Sequence, residues 1–362
     1  QASGNNGRTL NLENCSKINI YELNLEGNSN TVSSINDSLR MGGCSDIWIG
    51  RINAQQVNSN VVRIDDNSSN NIVIDKINAT SNNTGLNILL ITGGQNIRIK
   101  EIVSNGVGTV GNYELKTISI IPGAPTSIIK NVELGTVKVK SGGQGGLWVR
   151  NTVGATVENI RINDIDITKE SSFSYQARVE ESYIINVRGV KKFKLKGKVF
   201  EDKTTDRRGT GIFMDDVSDF DVDLEVKNTH VAYTIGETGI FNGVFKGKTD
   251  DIGFDKMRLA KAENVDFNVF FGEYSIETAN RYSIIDYGVS TLTNVSFKNC
   301  KFKKPTNSSN NILLYNSVNA NLLFAFCDLL EWEGMTESQK LTVTNSVVKK
   351  YNIGITDTPE LE

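Results

Sequence analysis

The sequence predicts an all-β chain wound into a single-stranded right-handed parallel β-helix, and three of its features indicate this fold class. Short strand patterns, with apolar residues at every second position, recur along almost all of the 362 residues. They return every 22–30 residues, which is typical of a repeat architecture. Asn, Ser, Gly and Asp fill the segments between them, and only 4 prolines occur, which suits strands that are paired on both sides.

The clearest ladder is a set of Ile-x-Ile patterns in the first hundred residues. They begin at Ile18, Ile47, Ile72 and Ile97, and successive members lie 29, 25 and 25 residues apart. Because the side chains of a strand alternate between its faces, both isoleucines of each pattern point the same way and stack along an axis. Similar patterns continue to the end of the chain, beginning at Ile160, Phe193, Phe220, Val265, Val295, Leu322 and Tyr351.

A second ladder of apolar patterns, the partner ladder, precedes the first one in the sequence of each turn. Its patterns begin at Leu39, Val62, Leu89, Ile118, Leu147, Ile185 and Ile212. No stretch shows the 3.6-residue period of an amphipathic helix, so each turn is predicted to hold two or three short strands. We therefore predict one β-helix domain over residues 1–362. The chain starts with neither Met nor a signal peptide, and we expect it to be a fragment of a longer modular protein.

Three segments are too long for the regular turn and are predicted to leave the helix as loops. They are residues 105–116, 168–182 and 200–211, and all lie near the middle of the array. Loops on a rigid scaffold are where binding groups concentrate. The middle of the chain is therefore where we expect a functional site.

Charge and hydropathy exclude two classes of partner. The formal net charge is −3, which offers no general attraction for nucleic acid or for an anionic membrane surface. No run of 18 apolar residues occurs, so no transmembrane helix and no membrane insertion are predicted.

The 4 cysteines are too few for a disulfide scaffold in a chain of this length. Cys15 and Cys44 occupy equivalent positions one turn apart, and so do Cys300 and Cys327. Stacked strands lie about 4.8 Å apart, which is within the Cα separation that a disulfide tolerates. Each pair is either a disulfide or a stack of buried thiols.

The outward positions of the partner ladder predict a candidate site in the central turns. Residues between or just after the inward apolar positions face solvent, and there they include aromatic rings, arginines and carboxylates. Such a combination is typical of a carbohydrate groove. We predict the catalytic carboxylates Asp215, Asp216 and Glu237, and the substrate-binding residues Trp148, Arg150, Arg188 and Phe213.

A second acidic corner adds Arg63 and Asp65, followed by Asp66, as further candidates for substrate binding. Structural roles are the alternative at both places. Opposite charges on neighbouring strands, such as Arg188 and Asp215, also stabilise a sheet, and an Asp-Asp pair suits a turn. Trp148 and Phe213 could instead pack beneath the loop 168–182.

Motifs of other enzyme classes find no support. Gly106-x-Gly108-x-x-Gly111 fits a dinucleotide-binding pattern, but no helical pattern follows it to receive a phosphate. His230 is the one histidine of the chain, which disfavours both a zinc site and a Ser-His-Asp triad. Arg98-Ile99-Lys100 matches one polygalacturonase motif, but the Gly-His-Gly motif of that family is missing.

The turns over residues 8–355 resemble the pectate-lyase-like (pectin lyase-like) β-helix superfamily. The Trp-x-Asp-His signature of pectate lyases is absent. The architecture is similar to the β-helical body of a bacteriophage tailspike or receptor-binding protein. That resemblance implies a homotrimer on the virion tail, and hence an extracellular location. It also implies that the protein binds and cleaves a bacterial surface polysaccharide. Outward apolar residues such as Leu90 and Ile121 would then lie at a subunit interface.

Three activities remain open under this resemblance. The first is a polysaccharide depolymerase of the glycosidase type, which hydrolyses its substrate with paired carboxylates and needs no cofactor. The second is a lyase acting on uronic acids, in which Arg150 or Arg188 would work beside a carboxylate-bound cation such as calcium. The third is a non-catalytic carbohydrate-binding module for glycan or teichoic acid.

Overall fold

The computed structural model describes most of the chain as β-strands. The described residues are 10–26, 37–55, 60–80, 87–105, 116–141, 145–169, 183–202, 209–253, 255–273, 284–303, 313–315, 319–325, 327–330, 341–343, 347–351 and 354–356. Within these ranges every element is a strand and the strands pair in parallel, which confirms the predicted parallel β-helix class. In the same ranges no helix is long and apolar enough to cross a membrane.

The chain divides into two compact units, Gln1–Gly197 and Lys198–Glu362. The single domain over residues 1–362 stays a prediction. The first unit contains β1 (Leu10–Glu13), β2 (Ser16–Glu26), β3 (Asp37–Gly42), β4 (Ser45–Gln55), β5 (Asn60–Asp65), β6 (Asn70–Thr80), β7 (Leu89–Ile91), β8 (Gly94–Asn105), β9 (Lys116–Ile120), β10 (Ile128–Ser141), β11 (Gly145–Arg150) and β12 (Thr156–Lys169). The boundary falls within β13 (Tyr183–Glu201).

The second unit continues with shorter strands towards its end. They are β14 (Thr210–Lys227), β15 (Val231–Ile235), β16 (Ile240–Asp250), β17 (Met257–Phe271), β18 (Ile284–Lys298), β19 (Lys301–Lys303), β20 (Leu313–Tyr315), β21 (Asn319–Ala325), β22 (Asp328–Leu330), β23 (Leu341–Val343), β24 (Val347–Tyr351) and β25 (Gly354–Thr356). The predicted loops 105–116, 168–182 and 200–211 lie largely outside the described residues.

In the first unit both predicted ladders are confirmed as rows of paired residues. Strands β2, β4, β6, β8, β10 and β12 stack through Ile18, Ile47, Ile72, Ile97, Val132 and Ile160. Strands β3, β5, β7, β9, β11 and β13 stack through Leu39, Val62, Leu89, Ile118, Leu147 and Ile185. From Ile47 and Leu39 onwards these side chains are buried, so the core of this unit is a column of aliphatic side chains.

The second unit adds a row of aromatic side chains to its aliphatic core. Val222 pairs with Phe245, and the row continues through Phe267, Phe297 and Phe324. The rings of Phe267 and Phe297 stack with centroids 5.1 Å apart, and those of Phe297 and Phe324 with centroids 4.9 Å apart. Equivalent positions one turn apart thus place like side chains face to face, which adds to the stability gained from area burial.

A left-handed residue marks the same corner in successive turns. In the first unit this row is Lys17, Asp46, Asn71, Asn96, Asn131, Asn159 and Lys192, with φ between 53° and 57°. Asn131 donates from Nδ2 to Asn96 Oδ1 at 2.8 Å, and Asn159 donates in the same way to Asn131 at 2.8 Å. Asn suits this position because it tolerates the left-handed region and its amide bonds along the stack.

We expect the left-handed backbone conformation at this corner to matter more for stability than the hydrogen bonds of the Asn side chains. Asn131→Val should lower the free energy of unfolding by about 2 kcal/mol, because a β-branched residue is strained at positive φ. Asn131→Gly removes the same amide hydrogen bonds but relieves the backbone, so it should cost only about 1 kcal/mol. Urea denaturation of both variants measures the difference, and equal losses would show that the amide ladder dominates.

The cysteines are thiols rather than disulfides. Cys44 donates from Sγ to Leu12 O at 3.2 Å, Cys300 to Phe267 O at 3.4 Å and Cys327 to Phe297 O at 3.3 Å. All three are buried, whereas Cys15 is only half-buried. Burial raises the pKa of the Cys44 thiol and raises that of Cys300 well above its ordinary value.

These environments predict a strong difference in thiol reactivity. In the folded protein an alkylating reagent should modify Cys15 first, because the thiolate is the reactive form and only this thiol is substantially exposed. Cys44, Cys300 and Cys327 should react only as the protein unfolds. Mass spectrometry of timed alkylation measures the order, and rapid labelling of Cys300 under native conditions would contradict it.

Candidate functional site

A cleft of about 350 Å³ opens at one corner of the first unit. It lies where β3, β5, β7 and β9 end and the chain turns towards β4, β6, β8 and β10. This volume falls within the range of about 300–1,000 Å³ that is typical of ligand pockets. Its lining includes Glu13, Arg40, Arg63, Asp65, Asp66 and Thr92.

Corner lengths explain why a cleft forms there. The corner between β7 and β8 consists of Thr92 and Gly93 alone, and a Cβ on Gly93 would lie 3.0 Å from backbone atoms of Asp66. Asn67, from the preceding corner, reaches across to the following one. It donates from Nδ2 to Thr126 O at 3.0 Å and accepts from Ile128 N at 2.7 Å. The short corner between two longer, connected corners leaves a recess beside Thr92.

The centre of the cleft is Asp65, held between two arginines. Asp65 Oδ2 accepts from Arg40 Nε at 2.7 Å and lies 3.2 Å from Arg63 Nε. Strand register causes this arrangement, because Arg40 pairs with Arg63 and Gly42 pairs with Asp65 on β3 and β5. A Cβ on Gly42 would lie 2.7 Å from Asp65 Oδ1, so the carboxylate occupies space that only glycine leaves open.

Further carboxylates fix the outer ends of both arginines. Arg40 Nη1 donates to Glu13 Oε1 at 3.1 Å, and Arg63 Nη1 donates to Asp37 Oδ2 at 3.5 Å. The hydrogen bond to Asp65 is the main cause that raises the pKa of Arg40 above its already high ordinary value. Both guanidinium groups are thus charged and oriented before any ligand arrives. Sequence reasoning missed Glu13 and Arg40, although Arg40 precedes Arg63 in the same outward row.

The cleft offers both hydrogen-bond donors and an acceptor to a ligand. The side chains of Arg40 and Arg63 are 23% and 25% exposed, whereas that of Asp65 is 9% exposed. Asp65 Oδ1 is buried and has no hydrogen-bond partner among the described residues. A buried acceptor normally has a partner, and in the described part of the chain this oxygen lies against Gly42 without one.

Asp66 has the turn role that the sequence left open for this corner. Its φ is 77°, and its Oδ1 accepts from Ser68 N at 2.9 Å and from Ser68 Oγ at 2.8 Å. The bond from the Ser68 backbone N–H is the first cause that lowers the pKa of Asp66, followed by the bond from the Ser68 hydroxyl. Of the Asp-Asp pair, Asp66 shapes the turn and Asp65 engages the arginines.

The central candidates of the first unit lie in their predicted rows. Trp148 pairs with Asn186, and Arg150 pairs with Arg188, on β11 and β13. Trp148 was expected to face solvent, yet it is only 5% exposed. The indole lies against Gly145, where a Cβ would approach Nε1 to 2.3 Å, and the Arg150 guanidinium lies 5.2 Å from the ring centroid. The indole thus lies along its own strand, and its role in substrate binding stays a prediction.

In the second unit, the structure brings two predicted carboxylates to the same turn. Asp215 Oδ1 accepts from the backbone N–H of Thr238 at 2.8 Å and of Gly239 at 3.0 Å. Gly236 provides space for this carboxylate, since a Cβ there would lie 2.7 Å from Asp215 Oδ1. Glu237, next in the chain, is exposed. Asp215 therefore fixes the turn that carries Glu237.

The remaining candidates of this unit differ in exposure. Asp216 is an exposed corner residue with a φ of 53°. Phe213 was predicted to face solvent but is only 7% exposed. A groove shared by Asp215 and Arg188, or by Phe213 and Trp148, would draw on both units and stays a prediction.

Within the described ranges, no group of three or more His, Cys, Asp or Glu residues could hold a metal ion. Calcium as a lyase cofactor stays a prediction. No family model, no curated protein and no solved structure matches the chain.

Proposed function

We propose that the chain binds a bacterial surface glycan, as the β-helical body of a phage tailspike or receptor-binding protein does, and that the cleft around Asp65 receives a sugar of that glycan. The observation that carries this proposal is the combination of two oriented guanidinium groups with a buried, unsatisfied carboxylate oxygen in a cleft of about 350 Å³. Sugars present hydroxyl groups that both accept from arginine and donate to carboxylate. This function would place the protein on a virion tail.

The charge of the cleft favours a neutral glycan. Its lining holds the two arginines Arg40 and Arg63 against the three carboxylates of Glu13, Asp65 and Asp66, a net charge of −1. A polyanion such as teichoic acid or a polyuronate would gain little from such a surface. Added salt should therefore change the affinity only slightly, since screening acts mainly on attraction between net charges.

A binding experiment tests this proposal directly. An array of bacterial surface oligosaccharides identifies a ligand, and calorimetry compares the wild type with Arg63→Ala. We expect at least about a tenfold loss of affinity, since a hydrogen bond to a charged group contributes about 1.5–3 kcal/mol. Arg161→Ala, an exposed arginine of β12 outside the cleft, is the matched control. Equal affinity of both variants would remove the cleft from the proposal.

Hydrolysis of the bound glycan is the second candidate function. It is favoured by the turn of the second unit, where the Asp215 carboxylate holds the segment that exposes Glu237. Release of reducing ends would establish hydrolysis, and an unsaturated, ultraviolet-absorbing product would instead establish a lyase. A glycan that binds without either product would leave the chain a binding module.

We further propose a homotrimer, following the tailspike resemblance. The outward apolar side chains of Leu90 and Ile121 are half-buried within one chain. A neighbouring subunit would bury the apolar surface that they still expose. Light scattering checks the mass of the particle in solution. A monomer at all concentrations tested would reject the trimer without affecting the glycan proposal.

A further inference from the structure

Tyr21 and Trp48 form an aromatic pair on the outer face of the first unit, on β2 and β4. Tyr21 is 81% exposed, one of two large apolar side chains that are strongly exposed in the described part of the chain. Its ring meets that of Trp48 edge to face, with centroids 5.4 Å apart and planes at 80°. Isolated exposed apolar residues are ordinary, but here an exposed ring contacts a second, half-buried aromatic ring on the same surface.

Gly50 keeps this surface open. A Cβ at this position would lie 3.1 Å from Trp48 Cη2 and 2.6 Å from the carbonyl oxygen of Tyr21. The indole therefore extends over a glycine rather than over a side chain. Trp48 pairs with Asn19 on one neighbouring strand and with Val73 on the other. The indole is thus the largest side chain in this part of the row.

Polar side chains begin directly beyond the aromatic pair. Asn53 donates from Nδ2 to Glu22 Oε1 at 2.9 Å and to Asn24 Oδ1 at 2.8 Å, and all three residues are on the exposed side. Arg51, the register partner of Glu22, is exposed as well and balances its charge. The surface therefore combines an apolar corner with a neutral set of hydrogen-bonding groups.

We infer that the Tyr21–Trp48 pair is a second glycan contact, at which a neutral pyranose ring stacks on the aromatic surface. A pyranose has an apolar C–H face and a rim of hydroxyl groups, which is the same combination that the surface presents. Tyr and Trp provide large, rigid contact area at a low cost in conformational entropy. This inference rests on the proposed glycan-binding function but on different residues from those of the cleft.

The test uses the oligosaccharide that the wild-type chain binds on the array, with calorimetry as the readout. Tyr21→Ala should weaken binding about tenfold, as expected for the loss of one aromatic contact. Tyr21→Phe should retain wild-type affinity, because stacking needs the ring and not the hydroxyl. Val153→Ala, which alters the other strongly exposed apolar side chain at 96% exposure, is the matched control. Thermal unfolding should be unchanged in Tyr21→Phe and Val153→Ala and slightly lower in Tyr21→Ala, which loses the ring contact with Trp48.

The outcomes separate this inference from the proposed function. If Tyr21→Ala binds as the wild type does while Arg63→Ala is weakened, the aromatic contact is overturned and the cleft stands. If Tyr21→Ala is weakened and Arg63→Ala is not, the aromatic contact stands and the cleft is overturned. If the wild type binds no glycan on the array, both are overturned.

Discussion

Asp65→Ala is expected to lower the free energy of unfolding by about 2–4 kcal/mol and to abolish binding in the cleft. Removing one partner of a buried ion pair costs about 3–5 kcal/mol, and partial exposure of both arginines reduces that figure. Without the carboxylate, Arg40 and Arg63 would face each other on neighbouring strands, at a site where the carboxylate oxygen now lies within 2.7 Å and 3.2 Å of them. Like charges directly opposite destabilise a sheet.

Chemical denaturation monitored by circular dichroism measures the effect, and Asp66→Asn is the control. Asp66 lines the same cleft, but its bonded oxygen accepts from Ser68 rather than from arginine. Asparagine keeps an oxygen acceptor and tolerates the φ of 77°, so this change should cost less than about 1 kcal/mol. A denaturation midpoint for Asp65→Ala equal to that of Asp66→Asn would show that the arginines do not depend on the Asp65 carboxylate.

A second substitution separates charge loss from cleft shape. Gly42→Ala leaves every charge in place but puts a methyl group 2.7 Å from Asp65 Oδ1. The carboxylate must then move, which disturbs its bond to Arg40. We expect a smaller loss of stability than for Asp65→Ala, because both ion-pair partners remain. Glycan affinity should fall in both variants.

The fold was predictable because the signal repeats. One Ile-x-Ile pattern is weak evidence, but the alignment of Ile47, Ile72 and Ile97 at a spacing of 25 residues fixes both the turn length and the inward face. The left-handed corners follow the same logic, since Asn recurs at Asn71 and Asn96 with the same backbone angle. Side-chain period and turn chemistry agree in most turns of the first unit, and such consistency between levels specifies a fold.

The candidate site was harder to predict, because it depends on the conformations of individual side chains. The strand rows that place Arg63 beside Arg40 follow from the sequence. The position of the Asp65 carboxylate in the space beside Gly42 does not. Similarly, the row of Trp148 was predicted correctly, whereas the folding of its indole over Gly145 buries a ring that was expected to face solvent. Period-two alternation predicts on which face of a strand a residue lies, but it does not predict the exposed fraction of its side chain.

The cleft itself arises from differences between corners rather than from the repeat. The short Thr92–Gly93 corner and the reach of Asn67 to Thr126 create the recess, and neither belongs to the ladder pattern. The sequence signal that could have located it is the run Thr92-Gly93-Gly94, because the corner Thr92–Gly93 is shorter than the corners before β6 and β10. Departures from the repeat are thus the places to search for function on a solenoid.

On a glycan that the chain hydrolyses, Glu237→Gln is expected to lower turnover by about 10²-fold or more, since general acid–base catalysis contributes roughly 10²–10⁴. Stability should not change, because Glu237 is exposed on its turn. Glu263→Gln, an exposed glutamate of β17 in the same unit, is the matched control and should keep full activity. Reducing-end release at saturating substrate measures turnover.

Asp215→Asn distinguishes a catalytic carboxylate from a positioning one. Its Oδ1 accepts from two backbone N–H groups of the Glu237 turn, so the neutral amide should weaken both bonds and cost about 1 kcal/mol of stability. If Asp215 is the second catalytic carboxylate, turnover should fall as far as in Glu237→Gln while the affinity for glycan is kept. If it only positions the turn, turnover should fall by less than about tenfold, because an amide oxygen can still accept from the same N–H groups. Unchanged turnover in both variants would exclude this turn from catalysis, and the binding function would then rest on the cleft of the first unit.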